Sequence, residues 1–87
     1  MKNMFDFIFS VAKQRWAISK PMRIPELTAM ANDAGFRTRE GRLYRVGKRG
    51  FYRVVSEAYA DRQKAGDPEA WKIAEFRDAA GKYPWKK

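Results

Sequence analysis

The chain has 87 residues, 45% of them hydrophobic and 15% aromatic, with 19 Lys and Arg against 10 Asp and Glu for a formal charge of +9. That length builds one small domain with one modest core, and the apolar content is too high for a disordered basic tail. With no Cys and no His, the chain has no disulfide framework and no thiol chemistry. It also lacks the commonest general base and the commonest metal ligand.

The N-terminal stretch MKNMFDFIFSVAK is interrupted by Asp6, contains Lys13 and is followed by Arg15, and it has no clear small-residue cleavage site. It falls short of the roughly 20 apolar residues that a membrane span needs, so neither a signal peptide nor membrane association is expected. The spacing predicts a helix from about Asn3 to Ile18. Phe5, Ile8, Phe9, Ala12 and Trp16 share one face, and Met4, Phe7, Val11 and Ile18 form a second apolar stripe on the opposite side. One stripe serves the domain's own core. The second requires either the rest of the fold or another chain, which makes residues 1–20 a candidate element for homodimerisation.

Ser19-Lys20-Pro21 ends this helix, because Pro disfavours helical geometry in the residue before it. A second helix is predicted from near Pro25 to Ala34. Pro25 is suited to the first turn and Glu26 to the helix dipole, and Leu27, Met30, Ala31 and Ala34 are the apolar positions. Gly35 is placed to close it as a left-handed cap. Residues 37–46 read as a short β-hairpin or an extended turn, with Glu40-Gly41 at its tip. A third helix is predicted to start between Gly47 and Gly50 and to end near Ala65-Gly66. Its core face is Phe51, Val54, Val55, Ala58 and Tyr59, and Arg49, Arg53, Ser56 and Ala60 lie opposite. Asp67-Pro68 opens a fourth helix, which carries Ala70, Trp71, Ile73, Ala74 and Phe76 and ends before Gly81. Trp16 and Trp71 are read as core, and the basic tail is expected to pack Tyr83 and Trp85 back onto the domain. The expected architecture is a single, mainly α domain of four helices. It comprises an N-terminal helix in 1–20, a helix-turn-helix-like basic region in 25–66, and a C-terminal helix with tail in 67–87.

Charge is concentrated in one place. Residues 37–53, RTREGRLYRVGKRGFYR, carry +6 of the total +9, whereas residues 25–36 carry −2 and residues 54–87 carry +1. Tyr44, Phe51 and Tyr52 interleave with these charges. Such density is costly to pack and useful against a polyanion. The candidate nucleic-acid contacts are Arg37, Arg39, Arg42, Arg45, Lys48, Arg49, Tyr52 and Arg53. A supporting helix, a turn and a second helix with a basic outer face suggest a helix-turn-helix variant. Lys48, Arg49, Tyr52 and Arg53 would then sit at the start of the second helix, near phosphates or guanine edges. The competing reading is a solvated face whose arginines pair with Asp33, Glu40 or Glu57. Tyr44 reads as core before stacking platform, and Gly47-Lys48-Arg49-Gly50 lacks the spacing of a P-loop.

The run MANDAGFRTREGRLYRVGKRGFYRVVSEAY is similar to the helix-turn-helix-like segment in the recombinase domain of large serine recombinases. The matching residues are Ala31, Gly35, Thr38, Gly41, Tyr44, Val54, Val55 and Tyr59, across about a third of the chain. The resemblance implies DNA contact by Arg37–Arg53. It does not imply recombination, since 87 residues leave no room for a catalytic domain.

Catalysis finds no support. Ser10, Ser19 and Ser56 have no recognisable nucleophile context, and Asp61, Asp67, Glu69 and Asp78 sit among Arg and Lys without a metal-ligand pattern. No cofactor or metal is expected. The expected function is non-catalytic nucleic-acid binding, with duplex DNA favoured over RNA, by a small cytoplasmic regulator of transcription. Two other classes compete: a phage- or plasmid-encoded protein that blocks a protein target, and an RNA-binding module that stacks Tyr44, Tyr52 and Trp85 on unpaired bases. If the start of the third helix reads DNA, Arg49→Ala combined with Arg53→Ala should leave the circular dichroism spectrum intact and weaken duplex retention in a gel-shift assay. Unchanged retention would remove that assignment.

Overall fold

A computed structural model of the protein describes residues 3–20, 22–47 and 50–83. Among them are three α-helices, α1 (Met4–Ala17), α2 (Ile24–Asp33) and α3 (Phe51–Lys64), and one 3-10 helix, Ala70–Glu75. The fold is mainly α, as the apolar spacing predicts.

Local chemistry sets the helix ends. Asn3 caps α1 by accepting the Asp6 N–H at 2.8 Å. Asp6 in the first turn and Arg15 in the last complement the helix dipole. α2 starts at Ile24, with Pro25 inside its first turn where no N–H is needed. All three α-helices close in the same manner, through a left-handed residue that lets a later N–H reach back over the last turn. Lys20 N–H donates to the Arg15 carbonyl, Phe36 N–H to Ala31 and Asp67 N–H to Arg62, each at 3.0–3.1 Å. The left-handed residues are Ser19, Gly35 and Gly66, with φ of 55°, 95° and 76°.

The core is organised around α1. Ile8, Phe9, Val11 and Ala12 are buried on α1, Ile24, Leu27 and Ala31 on α2, and Phe51, Val55 and Ala58 on α3. Ile73 and Phe76 complete it from the C-terminal side. Burial of both Phe9 and Val11 means that both apolar stripes of α1 are used within the chain. Phe7 on the second stripe packs against Phe36 with ring centroids 5.2 Å apart. At the far end of α1 the stripes run out, and Ile18 is exposed. Arg62 on α3 ties back to α1, lying 2.8 Å from Asp61 and 3.7 Å from Asp6. The hydrogen bond to Asp61 is the main cause of its pKa lying above the ordinary arginine value.

Three expectations are corrected. The fourth helix is not an α-helix running towards Gly81 but a six-residue 3-10 helix, Ala70–Glu75, followed by extended backbone. Its buried residues, Ala70 and Ile73, and the buried Phe76 that caps it recur every three positions, which is the repeat of a three-residue turn. Asp67 starts it, accepting the Glu69 N–H at 2.9 Å. The chain then straightens because Arg77 N–H donates to the Met22 carbonyl and Ile24 N–H to the Arg77 carbonyl, at 3.2 and 2.7 Å. This parallel bridge between Arg23 and Arg77 closes the domain.

The second correction concerns the tryptophans. Trp16 and Trp71 are 49% and 41% exposed. They lie at the margin of the core and cover each other edge to face, with centroids 4.7 Å apart. Third, Ala34 is exposed, and Ile24 and Thr28 are buried on α2 in addition to Leu27 and Ala31. Thr28 satisfies its hydroxyl within the helix by donating to the Ile24 carbonyl at 2.7 Å. Tyr83 does pack back, donating to Glu75 Oε2 at 2.7 Å; Trp85 lies outside the described residues. Among the described residues no helix is long and apolar enough to cross a membrane.

These burials separate two substitutions of similar appearance in the sequence. Leu27→Ala should cost about 2–5 kcal/mol, the range for a fully buried leucine, whereas Trp16→Ala should cost about 1–2 kcal/mol despite removing more atoms. Urea denaturation followed by circular dichroism measures both, and the reverse order would refute the packing of the α1 terminus.

Candidate nucleic-acid interface

The basic segment forms most of the connection between α2 and α3, residues 34–50. No strand occurs among its described residues, so of the two expected forms it takes the turn. Thr38 organises it. Gly41 N–H donates to the Thr38 carbonyl at 2.9 Å, and Thr38 N–H donates to the Arg42 carbonyl at 2.8 Å. Arg42 N–H donates to the Thr38 hydroxyl at 3.1 Å. Gly41 takes the left-handed position this geometry requires, with φ of 80°.

Two anchors hold the turn against the helices. The first is Asn32 near the end of α2. Its side-chain amide accepts the Tyr44 N–H at 2.9 Å and donates to the Tyr44 carbonyl at 3.1 Å. One amide thus pairs with the backbone as a neighbouring strand would. The second anchor is Phe51, fully buried at the first position of α3. The Tyr44 ring meets it edge to face at 5.3 Å, and its N–H donates to the Arg45 carbonyl at 2.8 Å. Tyr44 is therefore half-buried packing, as its sequence context suggests. Gly50 must be glycine for a steric reason: a Cβ there would lie 2.9 Å from the Arg45 carbonyl carbon, with the carbonyl oxygen nearer still.

These contacts change the role of the α3 N-terminus. Phe51, Tyr52 and Arg53 N–H groups donate to the carbonyls of Arg45, Gly47 and Gly50. The first turn thus already has acceptors for those donors. A phosphate ahead of α3 would still meet the positive end of the helix dipole, but these three N–H groups are already engaged.

The candidate side chains divide into five groups. Arg39, Arg42 and Arg45 are exposed, and their side chains have no hydrogen-bond or ion-pair partner among the described residues. Arg37 is exposed but employed, its Nη1 donating to the Asn32 and Phe36 carbonyls at 2.9 and 2.7 Å and so capping the C-terminus of α2. Arg53 pairs with Glu57 one turn along α3 at 2.9 Å. Tyr52 is half-buried, and its hydroxyl accepts the Ala79 N–H at 3.4 Å. Lys48 and Arg49 lie outside the described residues. α3 itself begins at Phe51, and the expected pairing of Arg49 with Arg53 on one helical face falls outside the described residues. Ser56 and Ala60 are exposed alongside Arg53, as the helical spacing predicts.

A groove of about 880 Å³ runs between the turn and α3, with Arg42, Arg45 and Arg53 on its walls together with Glu40 and Glu57. The two carboxylates temper the charge there. Asn32 and Thr38 were not legible as organisers, since an Asn or Thr in a polar segment has the same local signature whether or not its side chain clamps a distant backbone. Comparison with family models, with curated proteins and with solved structures finds no match to this chain.

Asn32→Ala should therefore lower stability by about 1–3 kcal/mol, the cost of leaving two backbone groups without partners. It should also speed amide exchange at Tyr44 while the α3 amides stay protected. Asn32→Asp should behave similarly, because its second oxygen would face the Tyr44 carbonyl. Exchange by NMR reads this directly, and an unaltered Tyr44 amide would count against the clamp.

Proposed function

We propose that the protein is a non-catalytic nucleic-acid-binding domain that takes duplex DNA through the turn spanning Arg37–Arg45 and the adjoining face of α3. The observation that carries this reading is the presentation of Arg39, Arg42 and Arg45: three exposed guanidinium groups without intramolecular partners among the described residues, on a turn anchored by Asn32 and Phe51. Holding like charges near one another is unfavourable in the free protein, and a phosphate backbone reverses the sign. The anchoring matters as much as the charge, because a fixed turn loses little backbone entropy on binding.

Arg53 adds to the same face. Its exposed ion pair with Glu57 is worth about 0.3–0.5 kcal/mol and is readily exchanged for a phosphate contact. Arg37 supplies charge from its capping position. The similarity of residues 30–59 to the helix-turn-helix-like segment of serine recombinases supports the same stretch as the DNA-facing element. The connection here, residues 34–50, exceeds the three- to four-residue turn of a compact helix-turn-helix. The turn itself is then the leading contact element, and α3 follows it towards the groove. A role as a small regulator accords with the size of the domain.

The test is a salt series with random duplex DNA. Counterion release predicts a linear fall of log K with log salt, and replacing Arg39, Arg42 and Arg45 together by Ala should lessen the slope by about 3 while leaving the fold unchanged. Arg53→Ala alone should lessen it by about 1. Equal affinity and slope in the triple variant would exclude the turn as the contact surface. Tighter binding to single-stranded RNA in competition would instead favour the RNA-binding module.

A further inference from the structure

A second concave site lies elsewhere on the protein and shares no residue with the groove beside the basic turn. It is a cavity of about 350 Å³ between the end of α1, the segment that follows it and the 3-10 helix. Its apolar lining includes Ala12, Trp16, Met22 and Phe76. Arg15, Lys20, Lys72 and Arg77 also line it, with Glu75 as the single carboxylate. Apolar surface with several convergent cations at this volume is the composition of a small-ligand site.

The charges around it are incompletely neutralised. Lys72 is paired with Glu69 at 2.6 Å, and Glu75 accepts from the Tyr83 hydroxyl. Arg15 and Lys20 have no side-chain ion pair among the described residues. Arg77 is held by its Nη2, which donates to the Tyr83 hydroxyl at 3.3 Å, with the guanidinium over the Tyr83 ring. Its Nε is buried and has no hydrogen-bond partner, which is rare for a buried donor in a folded protein. The backbone here is also costly. Ser19 takes the left-handed position that closes α1, with φ of 55°, where glycine is the lower-energy choice. Ser19 lines the cavity.

We infer that this cavity binds a small amphipathic anion, a planar aromatic group bearing one phosphate, of which a nucleoside monophosphate is the simplest example. The base would lie against the half-exposed Trp16 indole, where stacking is indifferent to base identity. The phosphate would be met by Arg15 and Lys20, with Arg77 as the fixed cation behind them. Such a group is presented either by a free nucleotide or by the phosphorylated end of a single strand, and the cavity chemistry serves both.

The probe is adenosine monophosphate, titrated by calorimetry against the full chain in parallel with adenosine and with inorganic phosphate. Saturable binding of the monophosphate, at least tenfold tighter than adenosine or phosphate alone, is expected. Arg15→Gln with Lys20→Gln should weaken it tenfold or more, and Trp16→Ala should weaken it while circular dichroism reports an intact fold. Replacing Arg39, Arg42 and Arg45 by Ala should leave it unchanged, which separates this site from the basic turn. A 5′-phosphorylated trinucleotide that competes at equal or lower concentration would identify the strand end as the source, and failure to compete would identify the free nucleotide. No saturable binding, or equal binding by the Arg15 and Lys20 variant, would overturn the proposal.

Discussion

Phe51 is the residue on which the two halves of this structure depend. It is fully buried at the first position of α3 and so fixes where that helix meets α1. Its backbone N–H takes the Arg45 carbonyl, and its ring receives Tyr44 edge to face. One side chain therefore anchors both the hydrophobic core and the end of a strongly cationic loop. A loop of this charge has no apolar surface of its own sufficient to fold it, and repulsion among its arginines favours spreading. Its shape is imposed from the helices, by Phe51 on one side and by the Asn32 amide on the other.

That arrangement explains how a small domain can carry its charge in one place. The arginines of the turn stand on backbone held by Thr38, by the Asn32 amide at Tyr44 and by the Phe51 N–H at Arg45. The stability of the fold therefore asks nothing of the Arg39, Arg42 and Arg45 side chains, which remain available to a partner. Arg37 and Arg53 illustrate the other use of a cation, one as a helix cap and one in an exposed ion pair. The cavity beside Trp16 follows a different logic. There Arg15, Lys20, Lys72 and Arg77 line the same cavity as the apolar Trp16, Met22 and Phe76, so charge and apolar surface meet at one place.

The helix positions were largely legible because their signals are local. Phe5, Ile8, Phe9 and Ala12 fall at helical spacing, Pro25 and Glu26 mark a helix start, and Gly35 and Gly66 sit where left-handed caps are needed. The C-terminal element departs from its sequence pattern for an equally physical reason. Ala70, Ile73 and Phe76 recur every three residues, and the intervening Trp71 and Ala74 made that pattern resemble an α-helical face. Trp16 and Trp71 read as core because they fall among the apolar positions of their predicted helices. Their places at the end of α1 and on the outer side of a 3-10 helix leave each with one neighbouring ring and open solvent.

Composition and local pattern alone determined that this chain is a small, mainly α domain with a basic segment at residues 37–53, since charge, periodicity and capping residues act over a few positions. Only the tertiary structure decided what that segment is attached to and which of its arginines are spoken for. The Asn32 clamp joins residues 12 apart, the bridge between Arg23 and Arg77 joins distant parts of the chain, and the cavity gathers Arg15, Lys20, Lys72 and Arg77 from separate elements. Contacts of that range depend on how the helices pack about α1, and no local spacing encodes them.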